Sequence, residues 1–506
     1  MNKFFLLIFV LFLQNCTYYA ARPPEKQTTG PMDNPVVLYS LLNANSTVNC
    51  DGITKFWVRN LSISSQASYC VSFTKKAIAT GTMGVDFFEQ DGLNSGLDFN
   101  LIASAYQNTI YPSLVSAFGE PSDVNKDKKV IILTLDILES ASTGSSSGFV
   151  AGFVDPKNFE ADDPSNVLRS NAAEILYMDG KELVDKKKKT ASGDPDPFLA
   201  TIAHEMQHLI RYQYGKGKDN VWIDEGTSEV SSDISGYGPQ KDRISCFKGS
   251  LTSSCADTGV QGTSPFTWSG SLKNYAYSYA FVRYLFYAAD STSATDNTNR
   301  LTFLKNTVQG GTDGVRASTP QNLMHVFRST KQYTDNKASV PADSSTDEVL
   351  FEHMMISFFG QAAGATDLSA TNVFINGTGT DLSSYKTIFP LSYSTTYYPL
   401  PSGIENLNFY KSLSATSGAT LSPGFMYVNS QTSTGASSAT TVNLSSSHII
   451  MNPSSTGSGV APSIQSKDLN TEADHPIHLE DGATCITPHL ILDDQKKPDF
   501  SRKLLF

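Results

Sequence analysis

The pentapeptide at residues 204–208 reads His-Glu-Met-Gln-His, and it constrains the local fold more strongly than any other part of the chain. Its histidines are four positions apart, so a helix places both imidazoles on one face, one turn from each other. Asp196 and Pro197 supply a helix N-cap and a first helical residue. Apolar residues then recur at helical spacing at Phe198, Leu199, Ile202, Ala203, Met206, Leu209 and Ile210. The sequence therefore predicts a helix anchored in the core.

Two imidazoles on one helix face can bind a single metal ion. His-Glu-x-x-His is the signature of zinc hydrolases, in which the glutamate, here Glu205, is a general base. Catalytic zinc takes three protein ligands, and Glu225 is the predicted third ligand beside His204 and His208. Glu229 lies one helical turn further on, where it can accept the outer N–H of a liganding histidine. The alternative is a surface helix with two histidines, which the apolar stripe disfavours.

The N-terminus has the composition of an export signal. Lys3 is followed by an uninterrupted apolar run at residues 4–13, which is too short to span a bilayer as a helix. Residues 13–16 read Leu-Gln-Asn-Cys and resemble a bacterial lipobox, although small residues are usual where Gln and Asn stand. This pattern predicts that Cys16 is lipidated.

The predicted signal peptide covers residues 1–16, and the Pro-rich polar residues 17–34 form a tether. An ordinary signal peptide, cut after Ala20 or Ala21, is the alternative. Both predict an exported protein. It is either a lipoprotein of the bacterial outer membrane or cell surface, or a secreted protein. Membrane contact is expected only through a lipid anchor on Cys16.

Export permits disulfide bonds. Besides Cys16, the cysteines are Cys50, Cys70, Cys246, Cys255 and Cys485. Proximity favours one bridge between Cys50 and Cys70 and another between Cys246 and Cys255, which leaves the last cysteine unpaired. The sequence does not fix this connectivity.

Composition divides the remainder into three predicted regions. Residues 35–95 carry short apolar runs split by Ser, Asn and Gly, as in a small β-domain. Residues 96–364 combine buried strands with amphipathic helices and form the predicted catalytic domain, with a mostly helical lower lobe. Residues 365–506 are rich in Ser and Thr and form a C-terminal β-domain and tail. The fold class is therefore α+β, and one strand beside the cleft can pair with an extended peptide.

One loop has two interpretations. Asp123, Asn125 and Asp127 alternate along the chain and resemble the start of a calcium-binding loop. The glycine and the closing glutamate of an EF-hand are absent, because Lys128 and Thr134 stand at those positions. A polar turn before a buried strand is therefore favoured.

Other patterns predict structural roles. An amphipathic helix begins near residue 97, and Pro112 is expected to kink it. The lysine run at 186–189 is expected in a solvated loop, and His325 and His353 in the core. The aromatic helix at 275–290 is mostly core, but one of its tyrosines is a candidate donor to an oxyanion, without indication of which.

Several segments together resemble the hyicolysin family of neutral zinc metallopeptidases, within the gluzincin group. These segments are 123–135, 152–156, 171–179, 204–210, 222–226 and 275–281. The resemblance implies a gluzincin-like domain in which a sheet adjoins the active-site helix. It also implies that His204, His208 and Glu225 hold zinc, with Glu205 as the base and peptides as substrates.

These observations predict an exported zinc metallopeptidase in which Glu205 activates a zinc-bound water against a peptide bond. The main rival is a non-enzymatic surface lipoprotein, an adhesin that binds host macromolecules through its β-domains. A zinc hydrolase acting on cell-wall peptides is a third hypothesis, because the motif fixes the chemistry and leaves the substrate open. The net charge of −11 argues against a nucleic-acid partner.

Overall fold

The computed structural model describes residues 50–391, except 64, 139–147, 250–254, 256–258, 261, 267, 269, 293–295 and 366. It also describes the segments 415–421, 426–429, 440–443, 448–453, 459–464 and 489–492. The chain comprises two compact units, Met1–Cys50 and Asp51–Phe506, and all elements below belong to the second. The predicted signal peptide, Cys16, the tether and Cys485 lie outside the described residues.

Strands and helices both contribute substantially, so the fold class is α+β, as predicted. The described strands are β1 (Lys55–Arg59), β2 (Ser68–Ala79), β3 (Gly84–Gln90), β4 (Lys129–Leu135), β5 (Gly148–Val154), β6 (Ile175–Asp179), β7 (Val373–Ile375), β8 (Thr378–Gly379), β9 (Ala415–Leu421), β10 (Met426–Asn429), β11 (Thr440–Asn443), β12 (His448–Met451), β13 (Gly459–Ile464) and β14 (His489–Leu492). The described α-helices are α1 (Phe99–Ala105), α2 (Tyr111–Phe118), α3 (Glu182–Lys189), α4 (Pro197–Gly215), α5 (Val221–Ile234), α6 (Lys241–Lys248), α7 (Leu272–Ala288), α8 (Thr298–Gln309), α9 (Pro320–Phe327), α10 (Lys331–Asn336), α11 (Asp347–Ala362) and α12 (Ser383–Ile388).

Seven strands form one mixed sheet in the order β1-β2-β3-β4-β6-β5-β14. The central strands β3, β4 and β6 run parallel, and all other neighbours are antiparallel. The predicted N-terminal β-domain ends near residue 95. Its strands β1, β2 and β3 belong to the same sheet as the later strands β4, β5 and β6, so the predicted boundary divides a single sheet. The remaining strands form a five-stranded sheet, β10-β12-β11-β7-β8, and a β13-β9 pair.

The sheet is apolar on both faces, as the unbroken hydrophobic run of β4 predicts. Val130 and Ile132 of β4 point into the larger core, which the helices also line. Ile131 and Leu133 point to the opposite face, where they join a smaller cluster around Phe56. Side chains of a strand alternate between faces, so every residue of this run is buried.

The structure refines one helical prediction and corrects another. The irregularity near Pro112 is a π-helical turn, Tyr106–Ile110, between α1 and α2. Pro112 lies in the first turn of α2, directly after that π-helical turn. The lysines at 186–189 are in the last turn of α3 and not in a loop. Cations at a helix C-terminus interact favourably with the helix dipole, which explains their placement.

No helix within the described residues is long and apolar enough to cross a membrane.

Candidate metal centre

Helix α4 presents the two histidines on one buried face. Asp196 caps its start by accepting hydrogen bonds from the backbone N–H groups of Phe198 (2.9 Å) and Leu199 (3.3 Å). Pro197 occupies the first helical position. The helix packs on β5, β6 and α5, so the predicted apolar stripe faces the core.

Helix α5 brings Glu225 to the histidines. Glu225 Oε2 lies 3.2 Å from His204 Nε2 and 3.5 Å from His208 Nε2, and the two Nε2 atoms are 3.0 Å apart. All three side chains are buried. A tetrahedral zinc ion about 2.0–2.1 Å from each donor places neighbouring donors roughly 3.3 Å apart. The three predicted ligands therefore fit a zinc ion in both chemical type and spacing.

Glu205 lies beside this group with its carboxylate buried. Among the described residues, neither of its oxygens has a hydrogen-bond partner. Burial raises the pKa of Glu205 well above its ordinary value, the His208 charge opposes this, and the carboxylates of Glu225 and Glu229 reinforce it. A buried carboxylate without a partner is costly, and a bound cation with its water would relieve that cost.

Strand β5 packs directly against Glu205. A Cβ atom added at Gly152 would lie 3.0 Å from Thr201 Cγ2 and 3.1 Å from Glu205 Cγ. The absence of a side chain at Gly152 therefore lets the strand approach helix α4 closely.

Each histidine has an outer carboxylate partner. His208 Nδ1 is 3.0 Å from Asp224 Oδ1 and 3.1 Å from Ser228 Oγ. Burial alone would lower the pKa of His208, but the carboxylates of Asp224 and Glu225 raise it well above the ordinary value. The sequence prediction missed Asp224, and the available signal was an acidic residue next to Glu225 on the same helix.

The predicted outer partner Glu229 lies near the other histidine. Glu229 Oε1 is 4.0 Å from His204 Nδ1 and 2.7 Å from Arg243 Nε. Burial raises the pKa of Glu229 to about 7, although the Arg243 charge lowers it. The buried Arg243 also lies over the ring of Tyr275, with 4.9 Å from its Cζ to the ring centroid.

Among the tyrosines of α7, Tyr275 lies against Arg243 and near the carboxylates of the centre. Burial raises its pKa well above the ordinary value, and the negative charges of Glu225, Glu229 and Glu205 contribute. Tyr279 instead hydrogen-bonds to Asp233, and Tyr284 donates to the backbone carbonyl of Phe389. The sequence left the choice among these tyrosines open.

The predicted disulfide cysteines and one of the predicted core histidines lie where they were expected. Cys246 and Cys255 form the expected disulfide, and Cys50 and Cys70 are each disulfide-bonded. His353 is buried and lies 2.8 Å from Ser344 Oγ, as expected for a core histidine.

His325 differs from its prediction. It is a surface residue whose Nε2 lies 2.6 Å from Asp313. Its hydrogen bond to Asp313, together with the nearby Asp347, raises the pKa of His325. The half-exposed imidazole is paired with a carboxylate at the surface, so His325 is not a core histidine.

No protein-family model matches the chain. Over 200 residues the chain is 32% identical to the neutral metalloprotease ShpI of Staphylococcus hyicus. The match covers 38% of this chain and 42% of that protease, so the chain spans less than half of the relative's length. This similarity supports a relationship between the chain and the metalloproteases.

Proposed function

We propose that the protein is an exported, hyicolysin-type zinc metallopeptidase that hydrolyses peptide bonds in proteins or peptides. The observation that carries this proposal is the convergence of His204, His208 and Glu225 beside the buried carboxylate of Glu205. The similarity to a metalloprotease favours this function over the adhesin hypothesis. Export follows from the N-terminal sequence, with lipidation at Cys16 as part of the proposal.

His204 Nε2, His208 Nε2 and a carboxylate oxygen of Glu225 would hold the zinc ion. When bound, zinc supplies a Lewis acid that polarises the scissile carbonyl and makes water more acidic. Asp224 orients His208 through its Nδ1 atom, and Glu229, held by Arg243, faces Nδ1 of His204. These outer contacts fix which ring nitrogen faces the ligand site.

Glu205 is the proposed general base. Its carboxylate takes a proton from the attacking water and then delivers that proton to the leaving amine. Burial raises the pKa of Glu205, so this group holds a proton more readily than an exposed glutamate would. That property suits a residue that must accept a proton and then release it near neutral pH.

Tyr275 is the proposed donor to the oxyanion. Burial raises the pKa of Tyr275, so its phenol stays protonated well above neutral pH and its hydroxyl can donate a hydrogen bond. Arg243 holds the ring in place from one side.

The test compares zinc content with peptidase activity. We expect Glu205→Gln to keep stoichiometric zinc while casein hydrolysis falls about 10²- to 10⁴-fold, because only proton transfer is lost. Glu225→Ala should lose zinc as well as activity. Glu160→Gln is a matched control, since Glu160 is an exposed glutamate paired with Lys157. A zinc-loaded Glu205→Gln with full activity, or unchanged zinc in Glu225→Ala, would contradict the assignments.

A chelator separates the enzyme from the adhesin. Zinc removal should abolish casein cleavage by the wild-type protein, and returning zinc should restore it. Binding to host matrix that persists with chelator, without any cleavage in its absence, would favour the adhesin.

A further inference from the structure

The interface between α4 and α5 contains buried polar side chains, although packed helices commonly meet through apolar ones. Gln207 directly precedes His208 on α4, and its side chain is fully buried. Thr227 and Ser228 of α5 are also fully buried, and both contact the Gln207 amide. Buried polar groups depend on protein partners, because water does not replace their lost hydration. The protein groups alone therefore decide which atom donates and which accepts.

Thr227 gives the Gln207 amide its orientation. The hydroxyl of Thr227 donates to backbone carbonyl oxygens of its own helix at 2.9 Å. Arg211 Nη1, which can only donate, is 3.4 Å from Thr227 Oγ1. Thr227 Oγ1 is therefore an acceptor towards α4, and Gln207 Nε2 donates to it at 3.0 Å. This contact leaves the amide oxygen of Gln207 on the side of Ser228.

Gln207 in turn sets the direction of the Ser228 hydroxyl. Gln207 Oε1 can only accept, and Ser228 Oγ donates to it. The same hydroxyl oxygen lies 3.1 Å from His208 Nδ1. A hydroxyl has a single hydrogen, so a donation to His208 would leave the Ser228 and Gln207 oxygens facing each other without a hydrogen between them. Ser228 Oγ is therefore an acceptor for His208.

An accepting hydroxyl determines which nitrogen of His208 carries the proton. A neutral imidazole has one N–H group and one lone pair, on different nitrogens. Asp224 Oδ1 lies 3.0 Å from Nδ1, and an ionised carboxylate can only accept. With both neighbours accepting, Nδ1 carries the proton and Nε2 carries the lone pair. Nε2 is the atom that lies 3.5 Å from Glu225 Oε2 in the candidate metal centre.

We propose that Gln207 is a positioning residue for the metal centre, which acts through Ser228 to keep Nε2 of His208 unprotonated. The inference rests on the proposed zinc site, because a histidine ligand must offer zinc a lone pair. Asp224 attracts the proton to Nδ1, whereas Gln207 removes the competing donor at that nitrogen. The second variable position of the His-Glu-x-x-His motif would therefore influence zinc affinity without contacting the metal.

The first test measures the zinc affinity of the full-length protein by competition with a chromogenic chelator. Gln207→Met keeps the length of the side chain but removes both amide contacts, which frees the Ser228 hydroxyl to donate to His208 Nδ1. We expect this variant to bind zinc about five- to tenfold more weakly, the size of effect expected for one hydrogen bond. Gln213→Met is the matched control on the same helix, since Gln213 is only partly buried and its amide oxygen accepts from Lys216 Nζ (3.2 Å). This control should bind zinc like the wild type.

Removal of the Ser228 hydroxyl separates the direction of the hydrogen bonds from packing. Ser228→Ala leaves Asp224 as the acceptor for Nδ1, so it should change zinc affinity much less than Gln207→Met does. With no hydroxyl left to direct, Gln207→Met should have no further effect in the Ser228→Ala background. The double variant should therefore bind zinc more tightly than Gln207→Met alone, although it has lost more contacts. A glutamine that only packed the two helices together would cause the same loss in both backgrounds.

Thr227→Val tests the same interface if Gln207→Met fails to fold, which the melting temperatures of the zinc-free variants would show. It removes the acceptor that orients the Gln207 amide, so zinc affinity should fall here too, and Ser228→Ala should again suppress the loss. Undiminished zinc affinity in Gln207→Met, or an equal loss with and without the Ser228 hydroxyl, would overturn the inference and leave the proposed peptidase intact. A wild-type protein that binds no zinc would overturn the proposed function, and this inference with it.

Discussion

Asp224 would support the proposed metal site without being a ligand itself. Its Oδ1 lies 3.0 Å from His208 Nδ1, on the side of the ring away from Glu225. We expect Asp224→Asn to weaken zinc affinity about 10- to 100-fold, because the ring loses the partner that orients it. Competition with a chromogenic chelator measures this affinity. Asp185→Asn, at an exposed site on α3, is the control, and equal zinc affinity in both variants would refute the orienting role.

Glu352 on α11 provides a pH-dependent prediction away from the metal centre. Burial raises the pKa of Glu352 to about 7, and the charge of Glu348 contributes. The folded state therefore binds the proton more tightly than the unfolded state, whose pKa is about 4.3. Stability consequently falls as the pH rises from about 4 to 7.

Replacing this glutamate removes the titration. We expect Glu352→Gln to raise the free energy of unfolding by about 1–2 kcal/mol at pH 8, after allowance for partial exposure, and to change it little at pH 4. Urea unfolding at the two pH values measures the difference. An equal increase in the free energy of unfolding at pH 4 and at pH 8 would mean that ionisation of Glu352 is not the cause of the increase.

The proximity of His204 and His208 was predictable from sequence because helical periodicity brings the two residues together within one turn. Glu225 followed from its position after the motif. Arg243 was not predictable as a site residue, and the sequence did not indicate which tyrosine of α7 to choose. Only the packing of α6 and α7 brings Arg243 to Glu229 and places Tyr275 beside it.

At the scale of elements, the close contact of α5 with α7 depends on Gly226, the residue after Glu225. A Cβ atom there would lie 2.6 Å from Val282 Cγ2 and 2.9 Å from the carbonyl oxygen of Ser278. The backbone carbonyl cannot move aside as a flexible side chain can. We expect Gly226→Ala to destabilise the fold by about 1–3 kcal/mol and to reduce zinc occupancy by displacing Glu225.

Denaturant unfolding and metal analysis together check this prediction. Gly81→Ala is the matched control, because a Cβ there would meet only the carbonyl oxygen of Met83, at 3.9 Å. Full zinc occupancy in Gly226→Ala would show that α5 can shift without moving its ligand.

Several elements followed directly from local sequence. The apolar run of β4 and the capped, amphipathic α4 are examples. The burial of a strand and the periodicity of a helix both depend on residues that are close together in the sequence. The π-helical turn Tyr106–Ile110 was not predictable, since its extra residue per turn leaves no compositional mark. The strands that pair with β1, β2 and β3 were also not predictable, because the composition of a strand does not indicate which strand lies beside it in a sheet.

At the scale of the whole molecule, β14 connects the end of the described chain to the region of the candidate metal centre. It pairs antiparallel with β5, with His489 opposite Gly152, and it also lies against α4 and α7. The backbone edge of β5 beside Glu205 is therefore already paired. If the proposed peptidase binds extended peptides along this edge, a substrate must compete with β14.

This competition predicts that weakening β14 increases activity. Alternate residues of a strand direct their N–H groups to the partner, so one of Leu490→Pro and Ile491→Pro removes a ladder bond. We expect that variant to hydrolyse casein several-fold faster and to show faster amide exchange in β5. Leu490→Ala and Ile491→Ala retain the N–H groups and serve as controls. Faster exchange without faster hydrolysis would show that β14 does not restrict substrate access.

The disulfide between Cys246 and Cys255 has a consequence for where the protein matures. It anchors α6, the helix that carries Arg243 and through it supports Glu229. Such bonds form in oxidising compartments and not in a reducing cytosol. A newly made chain would therefore hold α6 by packing alone until it leaves the cytosol. The contacts that support the metal centre would therefore be complete only after the chain has left the cytosol. Cytosolic proteins would then not be exposed to the fully formed peptidase.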